Sequence, residues 1–325
     1  MSSRRSMIVI GVAVLSGLTL GSCSNDAKPS AEGATRSLPP EGLASASAQA
    51  QTRGVDLTAE LDVDSGAVVL PNDRFQLSYD EISTLTSALG ALIDVCAQAK
   101  GVHVVTVNPR SDPVYSSHQY FGPWTEAQAE RFGFAAPMTA NDMYFNEVKM
   151  EGSAGGNGAP VKRPAINAGL TKADWDVVDG CQGTDGTAEL KGALAVNGPW
   201  TSQLYAIKKN VFDQPDARAA LVDVDACYSA QGLTPDPASP WLVQGVSDHL
   251  ISEAQIKLAL QLVVCKKKTS FTERVSQAEA RLQAPVILTY LDELLQKRQA
   301  AEAALKKSKV IIAQHPEVFD ASWGR

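Results

Sequence analysis

Four cysteines, Cys96, Cys181, Cys227 and Cys265, follow a fifth at Cys23, and the closest two of the four lie 38 residues apart. Zinc sites draw on close pairs such as C-x-x-C, so this spacing points away from metal and toward cross-links. An even set in an exported chain favours two disulfides, and three pairings are open. An internal echo orders them. Leu92-Ile93-Asp94-Val95-Cys96, with Gly101-Val102 beyond four intervening residues, repeats as Leu221-Val222-Asp223-Val224-Asp225-Ala226-Cys227 with Gly232-Leu233. Each copy sets a cysteine on the core face of a helix just before a terminating glycine. Each is followed downstream by one further cysteine. The simplest pairing is Cys96 with Cys181 and Cys227 with Cys265, each closing a long loop.

Disulfides need an oxidising compartment, and residues 1–22 read as the export signal that leads there. Arg4 and Arg5 give a positive start, Met7 to Leu20 an apolar run, and Leu20-Gly21-Ser22 precedes Cys23. The run is too short to span a bilayer, which takes roughly 20 apolar residues. Leu-Gly-Ser-Cys resembles the bacterial lipobox, in which the cysteine thiol receives diacylglycerol and becomes the new N-terminus. The expected address is the outer face of the cell membrane, held by lipid on Cys23. Residues 23–53 are Ser, Ala, Gly, Pro and Gln with almost no large apolar group, and read as a flexible, disordered tether.

Removing the signal leaves 303 residues (325 − 22), and the net charge of −7 becomes −9 without Arg4 and Arg5. An acidic surface argues against nucleic acid as a partner. The residues beyond the tether suffice for one large domain or two intimate halves. We divide them into an N-terminal module of short strands and one helix, 54–195, and a helical module, 196–325.

Capping and periodicity place the elements. Extended pieces flank a turn at Asp64-Ser65-Gly66. Ser78-Tyr79-Asp80-Glu81 is a capping box that opens a helix over 78–100, with Ile82, Leu85, Leu89, Leu92 and Cys96 on its apolar face. Val102 to Val107 reads as a strand, and Thr125 to Gly133 as a short helix. Residues 151–164 read as loop, and their glycine run lacks the lysine and following helix of a phosphate loop. Beyond Trp200 the chain is mainly helical. Ser252-Glu253-Ala254-Gln255 caps a helix with Ile256, Leu260, Val263 and Val264 inward. A long helix is then predicted from Thr272 to Gln314, bent at Pro285. Its stretch from Gln296 to Lys309 is rich in Ala, Lys, Glu and Gln and reads as a solvated, lightly docked rod. The fold class is mainly α with a minor β component, stapled by disulfides.

No catalytic constellation emerges. There is no G-x-S-x-G elbow, and every cysteine after Cys23 has a structural use. His103 lies on the apolar strand as a packed residue. His118 and Tyr120 share a polar aromatic loop that could touch a ligand. His249 and Glu253 stand four apart, and two groups do not make a metal site. Asp174, Asp176 and Asp179 surround Trp175 in a loop, where carboxylates beside an aromatic ring can bind sugar or cleave a glycosidic bond. No metal and no cofactor is expected.

Several short motifs recur in a telling order: Val69-Leu70-Pro71, the helix with Cys96 and Gly101, Phe121-Gly122, Glu130-Arg131-Phe132-Gly133-Phe134, Gly180-Cys181, Cys227 with Gly232, and Val264-Cys265-Lys266-Lys267-Lys268-Thr269. In this order the chain resembles a family of uncharacterised actinobacterial exported lipoproteins over roughly residues 67–300. That resemblance brings no catalytic residues with it. The expected role is a non-enzymatic binding or interaction protein of the cell envelope, with a protein or cell-wall component as partner. The alternative is a cell-wall hydrolase or transferase using carboxylates near 174–185.

Overall fold

Both cysteine pairs close as the echo orders them, Cys96 with Cys181 and Cys227 with Cys265, in the computed structural model of the chain. It describes residues 39–106, 108–109, 115, 119–137, 143, 147–151, 167–195 and 197–319. Cys23, His118 and the glycine run of residues 155–158 lie outside the described residues. The elements in chain order are α1 (Pro40–Thr52), β1 (Glu60–Asp62), β2 (Ala67–Val69), α2 (Tyr79–Gln98), α3 (Glu126–Phe132), β3 (Lys149–Met150) and α4 (Lys172–Gly180). Then follow α5 (Thr187–Leu194), α6 (Thr201–Asn210), α7 (Pro215–Ala230), β4 (Leu250–Ile251), α8 (Glu253–Lys268), α9 (Phe271–Thr289) and α10 (Leu291–Gln314). The β component is small: β1 pairs with β2 as an antiparallel hairpin, and β3 with β4 in parallel.

The echoed segments share their ends in space as in sequence. After α2, Val102 N–H donates to Ala97 O and Gly101 N–H to Gln98 O; after α7, Leu233 N–H donates to Tyr228 O and Gly232 N–H to Ser229 O. These are Schellman caps, which need a left-handed residue, and Gly101 (φ 83°) and Gly232 (φ 73°) supply it. The capping box at Ser78 and Glu81 is present, and Thr125 caps α3.

Four expectations change. Within the stretch read as tether, residues 40–52 are a helix: α1 begins at Pro40 and buries Ala50 beside Phe75, Trp200 and Leu291. Leu43 and Ala46 pack against the same cluster, so one leucine and two alanines dock the helix. Of the predicted strand over Val102 to Val107, the described residues Val102 to Thr106 do not form one. Its amides go elsewhere: Val104 N–H to Asp94 Oδ1 at 2.8 Å, Val105 N–H to Asn167 Oδ1 at 2.8 Å, and Thr106 N–H to Val318 O at 3.1 Å. Only a single bridge, Thr106 to Phe319, remains of β pairing there.

A long C-terminal helix is present as α10, but the run predicted from Thr272 to Gln314 is two helices, α9 and α10. Pro285 sits inside α9, and the break comes at Tyr290 (φ −116°, ψ 23°), after Thr289 Oγ1 donates to the Pro285 carbonyl. The proline has no N–H to give the ladder, and the chain turns one helical turn later. Nor is the end of α10 a lightly docked rod. Ala301, Ala304, Leu305 and Ser308 are buried, and Ala304 and Leu305 pack with Leu85, Ala88 and Leu190. Small residues on both helices let the axes approach, and Arg298 clamps the opening of α2 by donating to both oxygens of Glu81.

The apolar faces of α2 and α8 are also rotated from the reading. Ile82 is 40% exposed while Ala88 and Ala91 are fully buried. On α8, Val264 is 51% exposed and Lys266 only 2%. The cross-link explains the second case. Cys265 must face Cys227 on α7, and the next position then turns inward while the previous one turns out.

Candidate functional site

Three regions among the described residues bring together polar or concave features that bear on a site. The first surrounds the Cys96–Cys181 bridge, where Trp175 packs half-buried with Val178 and Ile93. Trp175 thus packs in the same cluster as the disulfide. Its acidic neighbours lie on α4, not in a loop. Asp174 closes a capping box with Thr171, whose hydroxyl and amide hold the carboxyl below its ordinary range. Asp176 accepts both oxygens' worth of contact from Lys172, 2.9 and 2.8 Å away. These carboxylates stabilise the first turns of their own helix.

The second region is the aromatic interior between α7, α8 and α9. Tyr120 is buried and donates to Glu279 Oε2 at 2.7 Å, and Gln283 donates to Oε1 of the same carboxyl at 3.2 Å. Burial pushes Glu279 above and Tyr120 above their ordinary values. One turn of loop further, Phe121 takes a left-handed conformation (φ 54°), and its carbonyl accepts from the buried ammonium of Lys266. The Lys266 amine lies 5.5 Å from the centre of the Phe271 ring, and loss of solvent pushes its pKa down to about 7. Phe121, Phe212 and Trp241 close the surround. Tyr120 is thus a core residue rather than part of an open loop. Sequence reasoning missed both Lys266 and Glu279, because each sits in a helix at a position that charge alone assigns to solvent.

The third region is open. Between α5, α10 and the turn at Phe75 runs a cleft of about 410 Å³, within the size range of small-molecule sites. Its floor is Phe75, Leu294 and Trp200, and its walls are small: Gly192, Ala193 and Ala300 among them. Trp200 lies in place because Gly198 has no side chain; a Cβ there would meet the indole ring at 2.3 Å. At Gly192 an added Cβ would meet nothing within 4 Å, so the trough is unfilled at that point.

Lys297 borders the cleft. Its ammonium donates to Ala195 O at 3.0 Å and to Asn197 O, and it stands 5.5 Å over the Trp200 ring. An ammonium has three donors, so one is left after these two bonds. Among the described residues no carboxylate pairs with Lys297, while Glu189, the acid on the opposite rim, is taken by Lys307. The feature legible in sequence was the alanine-rich stretch of α10; its use as a cleft wall depends on the docking of α5, which no local pattern announces.

Among the described residues the histidines do not converge on a site. His103 is exposed rather than packed, with its Nδ1 2.8 Å from Gln98 Nε2 and 3.4 Å from Asp94 Oδ1. His249 is exposed beside Asp248, and no cluster of three metal-ligating side chains occurs among the described residues. No described helix is long and apolar enough to cross a membrane. Comparison with protein-family models, with curated proteins and with solved structures finds no match.

Proposed function

We propose that this chain is an extracytoplasmic lipoprotein, anchored to the cell membrane through lipid on Cys23, that acts as a non-enzymatic binding protein of the envelope. One observation carries the reading. The four body cysteines satisfy one another as two disulfides, which leaves Cys23, where the signal-like segment ends, as the cysteine outside the pairs. An oxidising compartment is where such cross-links persist, and an unmodified thiol there would be a liability. Its kinship with the actinobacterial exported lipoproteins stands on the ordered motifs. The binding role draws support from the open cleft beside α10, whose apolar floor and fixed cation have the composition of a ligand site.

Fractionation of cells expressing the native chain and Cys23→Ser tests the anchor. The native protein is expected in the membrane fraction with a diacylglycerol mass increment on its N-terminal cysteine. Cys23→Ser should appear in the soluble exported fraction. An unmodified Cys23 in the mature protein would defeat the reading.

A further inference from the structure

We infer that the cleft between α5 and α10 binds a single-chain anionic amphiphile, its aliphatic chain along the alanine wall and its acidic head on Lys297. The inference deepens the binding role proposed above and rests on it. Three features of the cleft select this chemistry over other small ligands. The floor of Phe75, Leu294 and Trp200 offers apolar surface. The walls, at Gly192, Ala193 and Ala300, leave a channel with open space where larger side chains would stand. Such a trough suits a flexible chain better than a polar or rigid ring system, since burial of each methylene is favourable without any hydrogen-bond requirement.

Charge sets the polarity of the head. Lys297 is held by the Ala195 and Asn197 carbonyls and by the face of Trp200, so its position is set before a ligand arrives. Its third N–H and its full charge remain for an anion. Glu189 on the far rim would repel an anion, but Lys307 neutralises it. A cationic amphiphile finds no free carboxylate on this rim among the described residues, and a neutral one leaves the Lys297 charge unanswered.

The test uses the full mature chain carrying Cys23→Ser, so that no detergent is present to compete. Calorimetric titration with dodecanoate below its micelle concentration is expected to show one saturable site. Dodecyltrimethylammonium, which reverses the head charge, should bind at least tenfold more weakly, and acetate, which lacks the chain, not at all. Lys297→Met should weaken dodecanoate at least tenfold, Lys297→Arg should retain it, and Gly192→Leu should block the channel with Lys297 intact. No saturable dodecanoate binding overturns the inference. So does equal binding of the two amphiphiles, or dodecanoate binding that neither Lys297→Met nor Gly192→Leu alters. Each of these failures leaves the membrane fractionation of the native chain and of Cys23→Ser untouched, so loss of the ligand and loss of the anchor are read separately.

Discussion

The surroundings of the two disulfides differ in what fills them. Around Cys96–Cys181 and the adjoining face of α10, the interior is mostly aliphatic and small, with Ala88, Ala91, Ala97 and Ala304 fully or almost fully buried and half-buried Trp175 and buried Asp94 as the exceptions. Around Cys227–Cys265 it is aromatic and carries ionisable groups: Tyr120, Phe271 and Tyr228 enclose or adjoin Lys266 and Glu279. Alanine surfaces bring helices close but leave gaps wherever a neighbour falls short, and the cleft opens on that side. Aromatic surfaces fill volume and can solvate a buried charge through ring faces and loop carbonyls.

The largest test of this contrast removes each cross-link in turn as a paired alanine substitution. By loop length alone, losing Cys96–Cys181, with a separation of 85, should cost about 4.5 kcal/mol on the chain-entropy estimate. Losing Cys227–Cys265, with a separation of 38, should cost about 4 kcal/mol on the same estimate. Urea denaturation gives both values. A reversed order, with the shorter loop costing clearly more, would mean that aromatic packing around Cys265 depends on the bridge.

A pH series sharpens the contrast next. Lys266 in the folded chain has its pKa pushed down to about 7 from 10.5 by burial. Between those values the unfolded chain holds more protons than the folded one. Stability from this group therefore rises with pH across that window, at up to about 1.36 kcal/mol per unit, and its full cost is felt below about 7. Lys266→Met keeps the stem's volume and removes the charge. It is expected to flatten the slope between pH 7 and 10.5 and to raise the melting temperature most on the acid side. A slope identical to wild type would show that another group carries it.

How much of this was readable beforehand follows from what kind of interaction decides each feature. Caps are local, so Ser78 with Glu81, Thr125, Gly101 and Gly232 announced their elements, and the cysteine echo announced the pairing. Faces decided by long-range partners were not readable. Ile82 and Val264 are apolar and exposed, because docking of α10 and the position of Cys227 set the rotation of their helices. The extended run at Val102 lost its strand to one buried side chain, Asp94, which takes the Val104 amide. The cleft had no sequence signal beyond alanine content, since it is the space that α5 and α10 fail to fill.

Smaller effects separate structural polar groups from free space. Tyr120→Phe leaves the Glu279 carboxyl with Gln283 alone and should cost about 2 kcal/mol, the usual range for orphaning a buried acceptor. The lost hydrogen bond was holding Glu279 down against burial, so the carboxyl should titrate higher still. A group raised in this way stabilises the fold below its unfolded value and loses that contribution as pH rises through the folded one. The variant should therefore lose more stability at neutral pH than at pH 4. Tyr228→Phe is the comparison: its hydroxyl meets the Trp241 carbonyl at 3.2 Å with no acid involved, and its cost should be nearer about 1 kcal/mol and level with pH.

The smallest effect is a gain. Gly192 lies in α5 with nothing within 4 Å of an added Cβ, so Gly192→Ala should raise helix stability by about 0.5–1 kcal/mol. Gly186, at the start of the same helix, has φ 86° and a Cβ there would press Leu92 at 3.3 Å. Gly186→Ala should destabilise instead, by strain rather than by lost contacts. Thermal melts of the two variants side by side decide whether the alanine side of the molecule holds real free volume. A loss at Gly192 matching that at Gly186 would mean that the wall is already packed, and that the cleft closes in solution.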